Sequence, residues 1–133
     1  MHRSTILLLA SSALVAGAQT AVAAGQPPRL ESCGGAHLLR PTGAVVLSCA
    51  DGNSEIDKTA WTSWGASSAT GTTDFWLNLC TPNCAASSMR SFPHSTVRLS
   101  DPTKTKQGLF FGRADVTYAL NGARKTFTAY LAT

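Results

Sequence analysis

The chain has 133 residues, of which 44% are hydrophobic and 14% charged, with a formal net charge of +4. That apolar content suffices for one folded domain and excludes a disordered polyelectrolyte. The positive excess is small and scattered rather than gathered on a stripe, so no nucleic-acid partner is expected.

Residues 1–24 read as an export signal. "MHR" is a short basic start, "STILLLASSALVAG" an apolar run, and "AQTAVAAG" supplies small residues around a cleavage site. Val22 and Ala24 place the cut after Ala24, with Ala23 as the alternative. The run is too short and too soon broken to be a committed bilayer span. Nothing later in the chain is long and apolar enough to cross, so the expected mature protein is secreted and has no membrane anchor.

Residues 25–42, "GQPPRLESCGGAHLLRPT", are rich in proline and glycine and without periodicity. They read as an irregular arm pinned by Cys33. From residue 43 on, short runs of strand character are separated by turn residues. In "GAVVLSC" (43–49), Val45, Leu47 and Cys49 share a face. "KTAWTSWG" (58–65) is a weaker strand, and its "W-T-S-W" spacing sends Trp61 and Trp64 to opposite faces. "ATGTTDFWLNL" (69–79) puts Phe75, Leu77 and Leu79 on one face and Thr72, Asp74, Trp76 and Asn78 on the other. "STVRLS" (95–100) alternates Val97 and Leu99.

The last two runs, 108–120 and 123–132, flank Asn121-Gly122, both of which tolerate the positive φ that a type I′ turn needs. A two-residue loop pairs Leu120 with Ala123, Tyr118 with Lys125 and Val116 with Phe127. The buried face is then Ala114, Val116, Tyr118, Leu120, Ala123, Phe127, Ala129 and Leu131, interrupted by Lys125. No segment of the mature chain sustains a helical period. The whole predicts an all-β fold: a small disulfide-bonded β-sandwich or partly open barrel over residues 43–133, ending in a β-hairpin.

An exported chain with an even number of cysteines points to disulfides. The four are Cys33, Cys49, Cys80 and Cys84, which allow three pairings; Cys33–Cys49 with Cys80–Cys84 is favoured. The three-residue spacer of Cys80-Thr81-Pro82-Asn83-Cys84 fits neither the redox motif nor half of a zinc site.

Asp51, Asn53, Glu55 and Asp57 carry an oxygen-bearing side chain at every second position, as in a calcium loop. Counted from Asp51, however, Ile56 and Thr62 stand where such a loop needs Gly and Glu. A solvated turn is the better reading, with no metal and no cofactor expected. His37 and His94 are the histidines of the mature chain. Glu55, His94 and Arg98 are the nearest to a nuclease set, but no local motif surrounds them, and a nucleophile elbow is also missing. No catalytic residue is assigned, and the balance is against an enzyme.

The tryptophans are the candidate binding residues. Trp76 shares its face with Thr72, Asp74 and Asn78, and an exposed indole there would stack on sugars; Trp64 would complete the platform if its strand lies alongside. The charge is uneven. Residues 25–84 are acidic on balance, while Arg90, Arg98, Lys104, Lys106, Arg113, Arg124 and Lys125 make the remainder basic. That half would assist binding to an anionic wall polymer.

The order Arg40-Pro41, Leu47-x-Cys49-x-Asp51-Gly52-Asn53, Trp61-x-x-Trp64, Cys80-x-Pro82-x-Cys84-Ala85 resembles small exported proteins of high-GC Gram-positive bacteria, over residues 40–100. The resemblance implies a secreted β-domain and carries no activity with it. The glycine expected soon after the second cysteine is missing from "CTPNCAASSM", so that loop is expected to differ. "VTYALNGARKTF" also resembles the strand-turn-strand of the small bacterial subtilisin inhibitors, although the cysteine spacing departs from theirs. On that comparison Cys80 to Arg90 would be the inhibitory segment. The expected function is therefore extracellular binding of an unidentified partner, with protease inhibition and cell-wall or polysaccharide binding as the alternatives.

Overall fold

The computed structural model describes residues 25–131; the export signal expected over residues 1–24 lies outside the described residues. Eight strands follow in chain order: β1 (Leu30–Glu31), β2 (His37–Leu38), β3 (Val45–Val46), β4 (Ser54–Trp64), β5 (Ala69–Asn78), β6 (Met89–Thr105), β7 (Gly108–Leu120) and β8 (Ala123–Tyr130). β1 and β2 make a small sheet of their own. The other six form one antiparallel meander in sequence order. The architecture is all-β, and of the two forms expected the chain takes the partly open barrel: the six-stranded sheet curls into a half-barrel.

Alternation decides the inside. Ile56, Phe75, Val97, Leu99, Ala114 and Val116 are fully buried on the concave face. Phe75 meets Phe92, Tyr118 and Phe127 with ring centroids 5.3–6.4 Å apart. The closing hairpin has the expected register, with Leu120 opposite Ala123, Tyr118 opposite Lys125 and Val116 opposite Phe127. Asn121 (φ 52°) and Gly122 (φ 77°) supply its left-handed turn. Both disulfides have the favoured pairing, Cys33–Cys49 and Cys80–Cys84.

What curls the sheet is a set of bulges. Lys58 in β4 and His94 in β6 have positive φ at two of them; Asp101 in β6 also has positive φ, but the β6–β7 register is the same on both sides of it. The first two flank β5 at the same level: register slips between Asp57 and Ala60 on one side, and between Thr73 and Phe75 on the other. A bulge bends its strand and raises the local twist. It also frees a carbonyl, and at these sites, Asp101 included, a hydroxyl occupies one. Thr73 Oγ1 donates to Asp57 O (2.9 Å), Ser95 Oγ to Phe92 O (2.7 Å) and Thr103 Oγ1 to Asp101 O (3.2 Å). Thr59, Thr73 and Ser95 are buried, and they are tolerated there because their hydroxyls are satisfied.

Three expectations are corrected by the strands as they stand. β6 runs from Met89 to Thr105, through Pro93 and Pro102, where only 95–100 was expected; Pro93 adjoins the His94 bulge, and Pro102 lies opposite Phe111, whose N–H goes to Arg29 O and not to β6. β4 begins at Ser54, so Glu55 and Asp57 belong to a strand and not to a loop. A further slip between Trp61 and Ser63 inserts one residue, so Trp61 and Trp64 emerge on the same face. Their rings meet edge to face at 4.7 Å instead of pointing apart.

The segment 25–42 is less irregular than its prolines and glycines suggest. Leu30 is fully buried in the core. Arg29 N–H donates to Leu109 O (2.9 Å), and Phe111 N–H donates to Arg29 O (3.0 Å). The arm thereby adds a rung to β7 beyond the end of β8. Gly71 is required where β4 and β5 pinch together, since a Cβ there would lie 2.7 Å from Ala60 O.

Candidate functional site

The convex face of the sheet gathers the polar side chains that alternation excludes from the core. The registers set them in rows. Thr72, Thr96, Thr117 and Thr126 lie side by side across β5 to β8. Beside that row run Ser63, Thr70, Arg98, Asp115 and Thr128. Asp115 is occupied within its row, accepting from Thr128 Oγ1 and pairing with Arg113 Nε at 3.0 Å. On the β5 side, Glu55 and Ser91 flank Trp76.

The three tryptophans part company here. Trp64 is 8% exposed; its Nε1–H donates to Pro28 O at 2.9 Å, and its ring meets Phe111 edge-on. It is a core residue, which removes it from the binding platform suggested above. Trp61 Nε1–H donates to Pro41 O at 2.8 Å. Trp76 is half-buried and stands outside the core cluster. Among the described residues it is the tryptophan whose indole N–H has no acceptor. A partly exposed ring outside the core has a face free to stack, and its N–H is free to meet a hydroxyl.

A groove of ≈ 280 Å³ opens on the same face, lined by His94, Thr96, Thr117, Tyr118, Ala119, Gly122 and Arg124. Its origin is the bulge at His94. The β6–β7 ladder ends at Thr96 and Thr117, and beyond that pair β6 turns away with β5 while β7 continues into the hairpin. Leu131 N–H donates to Gly112 O (2.9 Å). With the Leu120–Ala123 register, this assigns the even-numbered residues of β7 from Gly112 onward to β8 and turns the odd-numbered ones toward β6. Ala119 therefore directs its N–H and C=O into the space that β6 has left. His94 was singled out in the sequence, but its groove brings in neither Glu55 nor Arg98. The nuclease set is not assembled.

The calcium-like loop is likewise dispersed. Asp51 Oδ1 accepts the Asn53 N–H (3.1 Å) in a tight turn at Gly52 (φ 66°). That donor holds the Asp51 carboxyl below the usual carboxylate range. The resulting stabilisation is present at neutral pH and is lost as pH falls through the lowered pKa. Asn53 Oδ1 is taken by Asn78, while Glu55 and Asp57 leave along β4 toward Trp76 and Asp74.

Asn78 is the residue that sequence reading underrates. It alternates as a polar outward position, yet it is only 9% exposed. Its Nδ2 donates to Asn53 Oδ1 (3.0 Å) and Cys84 O (2.9 Å), and its Oδ1 accepts the Cys80 N–H (2.9 Å). It fastens the Cys80–Cys84 loop to the β3–β4 turn. Replacing Asn78 with alanine should cost about 2–3 kcal/mol in urea unfolding, because buried partners lose their bonds; a cost under ~0.5 kcal/mol would deny it this role. The loop itself is exposed and is curled rather than extended: Ser87 N–H donates to Asn83 O at 3.0 Å, and Ala86 N–H to Asn83 Oδ1 at 2.9 Å.

Two disulfides are consistent with an oxidising, extracellular setting. Comparison of the chain with protein-family models, with curated proteins and with solved structures finds no match.

Proposed function

We propose that the chain is a secreted protein that acts by binding rather than catalysis, and that it holds an extracellular polysaccharide, cell-wall polymer foremost, against the convex face of its sheet. The observation that carries this reading is Trp76, half-buried, apart from the core cluster and with its indole N–H unused among the described residues. Sugars offer apolar C–H faces to such a ring and hydroxyls to polar neighbours. Glu55 and Ser91 lie beside Trp76 across the sheet, and Asp74 lies two residues along its strand. The threonine row extends the same polar face. Export, and the resemblance to small exported bacterial proteins, support a setting in which such polymers are met.

Protease inhibition is the weaker reading. An inhibitory segment enters the protease cleft in extended form, whereas Cys84–Ala86 are curled into a turn and the loop bonds to itself.

The test is retention on insoluble cell-wall material at low salt. Wild-type protein should be retained. Trp76→Ala should lose retention while its unfolding free energy falls by no more than about 1 kcal/mol, as for a residue off the core. Passage of the wild type unretained, or full retention of the variant, would defeat the proposal.

A further inference from the structure

We infer that the groove between β6 and the β7–β8 hairpin is a seat for an oxyanion, the carboxylate or phosphate carried by an anionic polysaccharide. This rests on the glycan reading above and narrows its ligand to a class. The groove's lining carries the Arg124 guanidinium, the His94 imidazole and the hydroxyls of Thr96 and Thr117 and, among the described residues, no carboxylate. The carboxylates nearest in the sheet are otherwise engaged. Asp74, beside the His94 bulge on β5, pairs with Lys58 Nζ at 3.4 Å, and Asp115 pairs with Arg113 at 3.0 Å. The parting of the strands directs the Ala119 N–H and C=O into the groove; the N–H, beside a guanidinium and hydroxyls, completes the donor set that oxyanions take.

The groove and Trp76 belong to one surface. His94 is one strand over from Trp76 and about two residues along, roughly 8 Å at sheet spacings. That is the scale of one to two sugar units, so a polymer with one ring on Trp76 reaches the groove with the next charged group. Neutral glycans would engage the ring alone.

The experiment has two arms on the folded, disulfide-bonded protein. In the first, amide NMR follows titration with glucuronate and, separately, with inorganic phosphate. The Ala119 and Arg124 signals should shift saturably with at least one of them, and the anion that acts tells a uronic polymer from a phosphate polymer. Arg124→Gln and His94→Asn should each weaken the effect at least tenfold. Absence of shifts with both anions, or shifts that persist in both variants, overturns the seat. In the second arm, retention is compared on neutral and anionic polysaccharides. Wild type should prefer the anionic polymer by at least tenfold at low salt, the preference should shrink as salt rises, and Arg124→Gln should erase it while leaving neutral binding intact. Equal retention on both polymers overturns the inference but spares the glycan reading. Anion shifts without retention on any polymer sustain the seat and remove the glycan reading instead.

Discussion

Trp64→Ala is expected to destabilise the fold by about 3–5 kcal/mol, the range for removing a large buried aromatic. Three separate losses combine. The indole is 8% exposed and sits between Trp61 and Phe111, with centroids at 4.7 and 5.5 Å. Its removal leaves a void that rigid strands cannot close. It also orphans the carbonyl of Pro28, to which Nε1–H donates, and with it the attachment of the N-terminal arm. Trp64→Phe separates the terms: it retains much of the apolar volume and should cost about 1–3 kcal/mol, the penalty of the unpaired carbonyl with some lost packing. Urea unfolding of both variants checks the claim. A cost below about 1 kcal/mol for Trp64→Ala would mean that the residue is not in the core.

Replacing Cys33 and Cys49 together by alanine should cost about 3 kcal/mol, since the bridge closes a sequence separation of 16 in the unfolded chain. The bridge ties the β1–β2 segment to the turn after β3, and through that segment it holds Leu30 in the core and the Arg29 rung on β7. Loss of the bridge should therefore raise hydrogen exchange first at Arg29 and Phe111, whose N–H groups form that rung. Opening Cys80–Cys84 should cost less, about 2 kcal/mol, because its loop is shorter. A reversed order of the two costs would contradict this account of the arm.

Much of the fold is legible in the sequence where one local rule acts alone. Asn121-Gly122 set a turn and the turn set a register; of the face expected to be buried, Ala114, Val116 and Ala129 are buried, Tyr118, Leu120, Phe127 and Leu131 half-buried, and Ala123, at the hairpin's tip, exposed. Phe75 and Leu77 follow the same logic on β5. The cysteine pairing found is the one favoured among the three that four cysteines allow. Legibility stops at the bulges. Each inserts one residue and reverses the parity of everything beyond it, and its cue is weak: His94 tolerates positive φ better than most residues, but Lys58 has no such preference. For that reason Trp61 and Trp64 were assigned to opposite faces, and Trp64 was offered as a binding residue when it belongs to the core. Pro93 and Pro102 likewise look like breaks in β6, while in the structure one long strand runs through both, Pro93 beside the His94 bulge and Pro102 opposite Phe111. The groove at His94 could not be read at all, because it exists only where two strands part. Asn78 was misplaced for a related reason: alternation names its side of the sheet and says nothing of the disulfide loop that folds back over it.

The proposed binding face is tested most directly by the fluorescence of Trp76 itself. Soluble cell-wall oligosaccharides are titrated into the wild-type protein, with Trp76→Phe as the baseline that retains the signals of Trp61 and Trp64. The account predicts a saturable change in emission in the wild type and a flat response in Trp76→Phe. An equal response in the two proteins, or no response in the wild type at oligosaccharide concentrations that saturate retention on wall material, would contradict it.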